Sequence, residues 1–147
     1  MKQEIILNMC ISLLIILFLY TGLTKLYGHD SFERVLTTSP LVSVVGNIIA
    51  WFLPVAEIIL TILLAIKRTS LIGLYLSAIL LFCFTSYLIF MVLQYPKLPC
   101  HCGGVISKMS WKQHILFNIF FFIIAIVGIK MAKHSKGHLL LKQIHSN

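Results

Sequence analysis

The sequence predicts an all-α polytopic membrane protein, a bundle of four transmembrane helices with a short interfacial helix in its first outer loop. Three observations lead there. The chain is 59% hydrophobic and 11% charged with a mean hydropathy of +0.99, more apolar surface than a soluble domain of 147 residues can hide. Its charges are clustered, leaving four apolar stretches at residues 5–27, 41–66, 71–95 and 111–130, each long enough to cross about 30 Å of hydrocarbon at about 1.5 Å per residue. Polar or turn-forming breaks separate the stretches, and in lipid each must be helical because only a helix satisfies its own backbone.

The first stretch is too long for the apolar region of a typical signal peptide and lacks a small-residue cleavage pattern after it, so it reads as a retained helix. After it comes "GHDSFERVLTTSP". Asp30 or Ser31 is a suitable N-cap there, Phe32, Val35 and Leu36 follow at helical spacing, and Pro40 closes the turn, a pattern for a helix lying along the interface. The second stretch contains Pro54 and, three residues on, Glu57, an acid inside a predicted span. A carboxyl in hydrocarbon is costly and needs a partner or a function. Lys25, near the outer end of the first stretch, is the candidate ion-pair partner, its long stem allowing an inward reach. A proton-handling role for Glu57 stands beside two quieter readings, a packing ion pair and a neutral acid bonded to carbonyls freed by Pro54.

Lys67-Arg68-Thr69 makes the turn into the third stretch. Before the fourth, Ser110 and Gln113 have the spacing of a capping box, with Trp111 and Tyr95 at interface depth. Asn8, Ser12, Thr21, Thr61, Ser77, Thr85, Ser86 and Asn118 are expected to hydrogen-bond between helices. Cys10 and Cys83 are expected to behave as small apolar residues. Residues 1–131 form the membrane domain in this reading, and 132–147 a basic tail.

The net charge of +8 would suggest nucleic acid in a soluble chain, but membrane flanks explain it better, and no nucleic-acid partner is expected. Lys2, Lys67, Arg68, Lys130, Lys133, Lys136 and Lys142 mark one face, against Lys25, Arg34, Lys97, Lys108 and Lys112 on the other. By the positive-inside rule the first face is cytoplasmic, which puts the chain in the cell's inner (cytoplasmic) membrane with both termini in the cytoplasm and residues 96–110 on the outer face.

That outer connection, "YPKLPCHCGGVISKMSW", holds Cys100 and Cys102. A tight turn brings such a pair within the roughly 4.4–6.8 Å between Cα atoms that a disulfide needs, and Gly103-Gly104 permit the backbone. So short a loop removes little unfolded-state entropy, so the bond would be a poor brace and an exchangeable one. Lys97, His101 and Lys108 surround it with positive or protonatable groups that favour thiolate. The competing reading is a metal clip for Cu(I) or Zn(II), with His101 and His114 as auxiliary ligands, although C-H-C lacks the spacing common in zinc sites. Haem is disfavoured, since no span carries a His near mid-depth.

Three passages carry a resemblance: "YTGLTKLYGHDSFERVLTTSPL" at 20–41, "PVAEIILTILL" at 54–64, and "CHCGG" at 100–104 with "MSWKQHILFN" at 109–118. Through them the chain resembles the MauE/DoxX group of small four-helix membrane proteins, and most closely its MauE-like branch, which is linked to methylamine metabolism and to redox maturation of exported proteins. The resemblance implies that Cys100 and Cys102 are the group's cysteine pair and that Lys25 and Glu57 occupy polar positions of its first two helices. The chain departs from the pattern in having Gly103-Gly104 where the branch is expected to carry Cys-x-Cys-Phe-Gly. Implied in turn is thiol–disulfide exchange with an exported thioredoxin-like protein, with a membrane quinone as the candidate electron carrier. Two alternatives remain open: a non-enzymatic metal-binding or assembly protein, and an accessory subunit of a quinol-oxidising complex such as some DoxX relatives resemble.

Overall fold

A computed structural model describes residues 2–38, 42–94 and 111–144. They form five helices: α1 (Lys2–Tyr27), α2 (His29–Thr38), α3 (Gly46–Ala65), α4 (Ser70–Gln94) and α5 (Trp111–Ile144). Four of these, α1, α3, α4 and α5, are long and apolar enough to cross a membrane, so the chain is a multi-pass membrane protein with the expected four-helix bundle. Around the bundle α1 neighbours α3 and α5, and α4 closes the ring against both, leaving α1 and α4 on one diagonal.

Leu14, Phe18, Leu64, Leu74, Leu81 and Ala125 meet on the bundle axis. The opposite faces present Ile16, Trp51, Phe82 and Leu116, which are more than half exposed and face lipid. Lipid is as apolar as leucine, so close packing rather than water exclusion holds the helices together, and small residues at the contacts matter. Gly22 brings α1 against Pro54, Glu57 and Ile58 of α3; Gly73 lets α4 approach the α3 backbone at Leu63 and Leu64.

The helix α2 docks on α3 at one end of the bundle. Phe32 and Leu36 pack with Ala50 in a second small cluster, and the His29 ring lies 4.1 Å from that of Trp51. Neither Asp30 nor Ser31 caps it. Gly28 N–H donates to the Thr24 carbonyl and Phe32 N–H to the Gly28 carbonyl, each at 3.0 Å, so the hydrogen-bond ladder of α1 runs on into α2 and there is no free helix start to cap. At Gly46 an added Cβ would lie 2.9 Å from the Thr37 backbone nitrogen. Gly46→Ala should therefore push α2 off α3 and lower stability by about 1–2 kcal/mol, read as an earlier thermal unfolding midpoint in detergent.

Beyond the fourth span α5 runs on as helix to Ile144, through the residues read as a basic tail. Its added turns, "MAKHSKGHLLLKQI", are mostly good helix formers, and the single Gly137 costs only about 1 kcal/mol. Of the residues expected to hydrogen-bond between helices, Thr21, Thr61, Ser77, Thr85, Ser86 and Asn118 each bond a carbonyl on their own helix. Thr21 donates to the Leu17 carbonyl at 3.0 Å, Thr61 to Glu57 at 3.0 Å, Ser77 to Gly73 at 2.7 Å, Thr85 to Leu81 at 2.6 Å and Ser86 to Phe82 at 2.9 Å. The carbonyl four residues back is always within reach of such a side chain, whereas a partner on another helix must be positioned.

Candidate functional site

Five polar side chains of the interior, Thr21, Lys25, Glu57, His114 and Asn118, converge toward the α2 end of the bundle. Lys25 sits two residues before the end of α1, and Glu57 lies a little past the middle of α3. Lys25 Nζ donates to Glu57 Oε1 at 2.6 Å, with the two side chains only 6% and 8% exposed. Desolvating two charges is expensive, and their attraction offsets that cost only where geometry is good and further hydrogen bonds are made. The pair is helped by its surroundings. Phe32 of α2 places its ring 5.8 Å from Lys25 Nζ, a cation–π contact, so α2 closes over the ammonium group. The carbonyl freed by Pro54 plays no part at Oε1, which takes its hydrogen bond from the lysine.

Glu57 Oε2 is buried and has no hydrogen-bond partner among the described residues. An acceptor left so costs about 1–3 kcal/mol, more for a charged group. Beside the pair lies a cavity of about 40 Å³. Thr21, Lys25, Glu57, His114 and Asn118 line it from α1, α3 and α5, and Leu80, Leu81 and Phe84 close it on the α4 side. Leu17, Phe18, Leu53 and Phe117 complete the lining, so α1, α3 and α5 mix polar with apolar groups while α4 presents apolar ones, and the size is that of a few water-sized groups rather than a ring or a chain.

His114 is 3% exposed, lies 5.7 Å from the Phe84 ring, and accepts a hydrogen bond on its carbonyl from Asn118 Nδ2 at 3.0 Å. It faces the same cavity as Glu57. Sequence reasoning had grouped it with the cysteines. Its helical position, one turn before Asn118 on the inward face, is the signal that joins it to the ion pair. Thr21 and Asn118 line this cavity too, although they read in sequence as residues that hydrogen-bond between helices.

Cys100, His101 and Cys102, with Lys97 and Lys108, lie outside the described residues, as do Tyr95 and Ser110. Cys10 is buried near the opposite end of α1, against Gly128. Cys83 is exposed on the face that α4 turns to lipid, because α4 buries the stripe of Ser77, Leu81, Thr85 and Leu88 instead. Among the described residues no three His, Cys, Asp or Glu side chains group in a way that would hold a metal ion.

No curated protein and no solved structure matches the chain. The family model described as "Methylamine utilisation protein MauE" matches residues 3–131, which take in the first three spans, the segment between α4 and α5 and most of the fourth span. With that match spread over the whole bundle, the chain belongs to the MauE family.

Proposed function

We propose that this MauE-family membrane protein supports thiol–disulfide exchange in the maturation of exported proteins, with Cys100 and Cys102 as the exchanging pair. The observation that carries the reading is the sequence C-H-C-G-G inside the connection from α4 to α5 of a MauE-family bundle. A thiolate of an exported thioredoxin-like partner attacks one sulfur of the Cys100–Cys102 disulfide, forming a mixed disulfide and releasing the other cysteine as thiolate. The partner's second thiolate then resolves it. The partner leaves oxidised, and two electrons stay on the Cys100/Cys102 dithiol until a quinone-class acceptor or a second thiol pair takes them.

Orientation follows from the charges. Lys25 is paired inside the bundle, so it no longer counts toward the charge of the α2 end, and the positive-inside bias toward a cytoplasmic N-terminus becomes stronger. The reading therefore places the protein in the cytoplasmic membrane with the 95–110 connection outside, where disulfides persist.

Alkylation of intact cells with a thiol reagent of known mass tests it. Cys100 and Cys102 should be found oxidised in a measurable fraction of molecules, and Cys100→Ser should leave Cys102 trapped in a mixed disulfide with an exported protein. A pair that stays fully reduced in growing cells, or that alkylates only after the cells are opened, would sink the proposal.

A further inference from the structure

We propose that the cavity beside Glu57 is a hydrated proton-exchange site, in which water bonded to Oε2 links the carboxyl to the α2 end of the bundle. The proposal stands apart from the chemistry of Cys100 and Cys102 and holds or fails without it.

Four observations carry it. Glu57 is more than nine-tenths buried, and its Oε2 has no protein partner among the described residues, so one acceptor of an otherwise engaged carboxylate remains to be satisfied. The cavity of about 40 Å³ exceeds the roughly 10–15 Å³ that one water needs. Its α1 and α5 walls supply the two to four polar partners a buried water requires: Thr21, whose oxygen keeps accepting capacity after donating to Leu17; Asn118, which has a second amide hydrogen and its carbonyl oxygen; and His114. Lys25 has given only one of its three hydrogens to Oε1.

The electrostatic surroundings are simple. Among the described residues, the charged group facing Glu57 from α1 is Lys25 and the titratable group from α5 is His114; α4 contributes Leu80, Leu81 and Phe84, and α2 covers Lys25 with the Phe32 ring. Lys25 and His114 each lie within one turn of a helix end, so the distance from the cavity to the bundle's α2 end is short. An acid held this way, anchored through one oxygen and wet on the other, has the two contacts that binding and releasing a proton require. A dry structural ion pair would have no use for the second.

The test is infrared difference spectroscopy of the full chain in lipid nanodiscs through an acid step, in H2O and then in D2O. The expected result is a carboxyl band that appears with the step, shifts when D2O replaces H2O, and is lost in Glu57→Gln. Because Glu57→Gln removes the counter-charge of Lys25, Glu57→Asp is the companion variant: it keeps both charges and moves the same band to a new frequency. Asn118→Leu, which replaces the amide by an apolar group of the same branched shape and leaves the ion pair in place, strips the cavity of both amide partners and should lose the fast D2O response while helical circular dichroism is retained. The proposal is overturned if no band distinguishes wild type from the Glu57 variants, or if the Glu57 band ignores D2O until the whole bundle exchanges. It is equally overturned if Asn118→Leu leaves the D2O response intact.

Discussion

Lys25→Met is expected to destabilise the bundle by about 3–5 kcal/mol, the cost of stranding a buried charge once its partner is removed. Glu57 lies mid-span with its side chain 8% exposed, and its short stem cannot carry the carboxylate to the interface. Glu57→Gln should cost less. Lys25 is two residues from the end of α1, and once released its four-carbon stem can carry the ammonium out to the headgroups. The double variant Lys25→Met/Glu57→Gln should recover much of the loss, because neither buried charge remains. Unfolding of all four proteins by titration with a denaturing detergent gives the coupling energy of the cycle. Additive losses in the double variant would show that the two side chains are not paired in the folded protein.

Gly73→Val is expected to cost about 3 kcal/mol, at the upper end of what overpacking usually does. An added Cβ at Gly73 lies 3.1 Å from the Leu64 backbone nitrogen and 3.2 Å from the Leu63 carbonyl carbon, atoms that cannot rotate away. The α3–α4 hairpin must open to admit the branch. Gly128 offers the contrast. Its added Cβ would lie 2.9 Å from Leu74 Cδ2, the far end of a flexible side chain, so Gly128→Ala should be much milder. Thermal unfolding of the two variants side by side measures the difference, and equal midpoints would refute the argument from backbone contact.

Much of this architecture was legible in the chain because lipid imposes so few options. Four apolar stretches had to be helices, and Phe32 and Leu36 at helical spacing had to find an apolar surface, which Ala50 provides. Glu57 and Lys25 were legible for the same reason, since a charge in hydrocarbon demands company. What sequence could not settle is where a side chain with several adequate partners goes. Thr85 and Ser77 have a carbonyl on their own helix as near as any neighbour, and no pattern of residues separates that outcome from an interhelical bond. His114 reads in sequence only as a possible ligand, and the inward stripe of α5 that brings it to the cavity beside Glu57 shows itself once the helices are packed. Falling hydropathy after residue 130 marks where the fourth span leaves the membrane, and it carries no signal of where the helix itself stops, which in α5 is Ile144.

The helices of the bundle are not equally long. At about 1.5 Å per residue the 20 residues of α3 reach about 30 Å, matching a typical hydrocarbon core with nothing to spare. The 26 residues of α1 and the 25 of α4 have a surplus that tilting can take up. In a thicker bilayer the mismatch therefore falls first on the helix that carries Glu57, while in a thinner one it is absorbed along the α1–α4 diagonal.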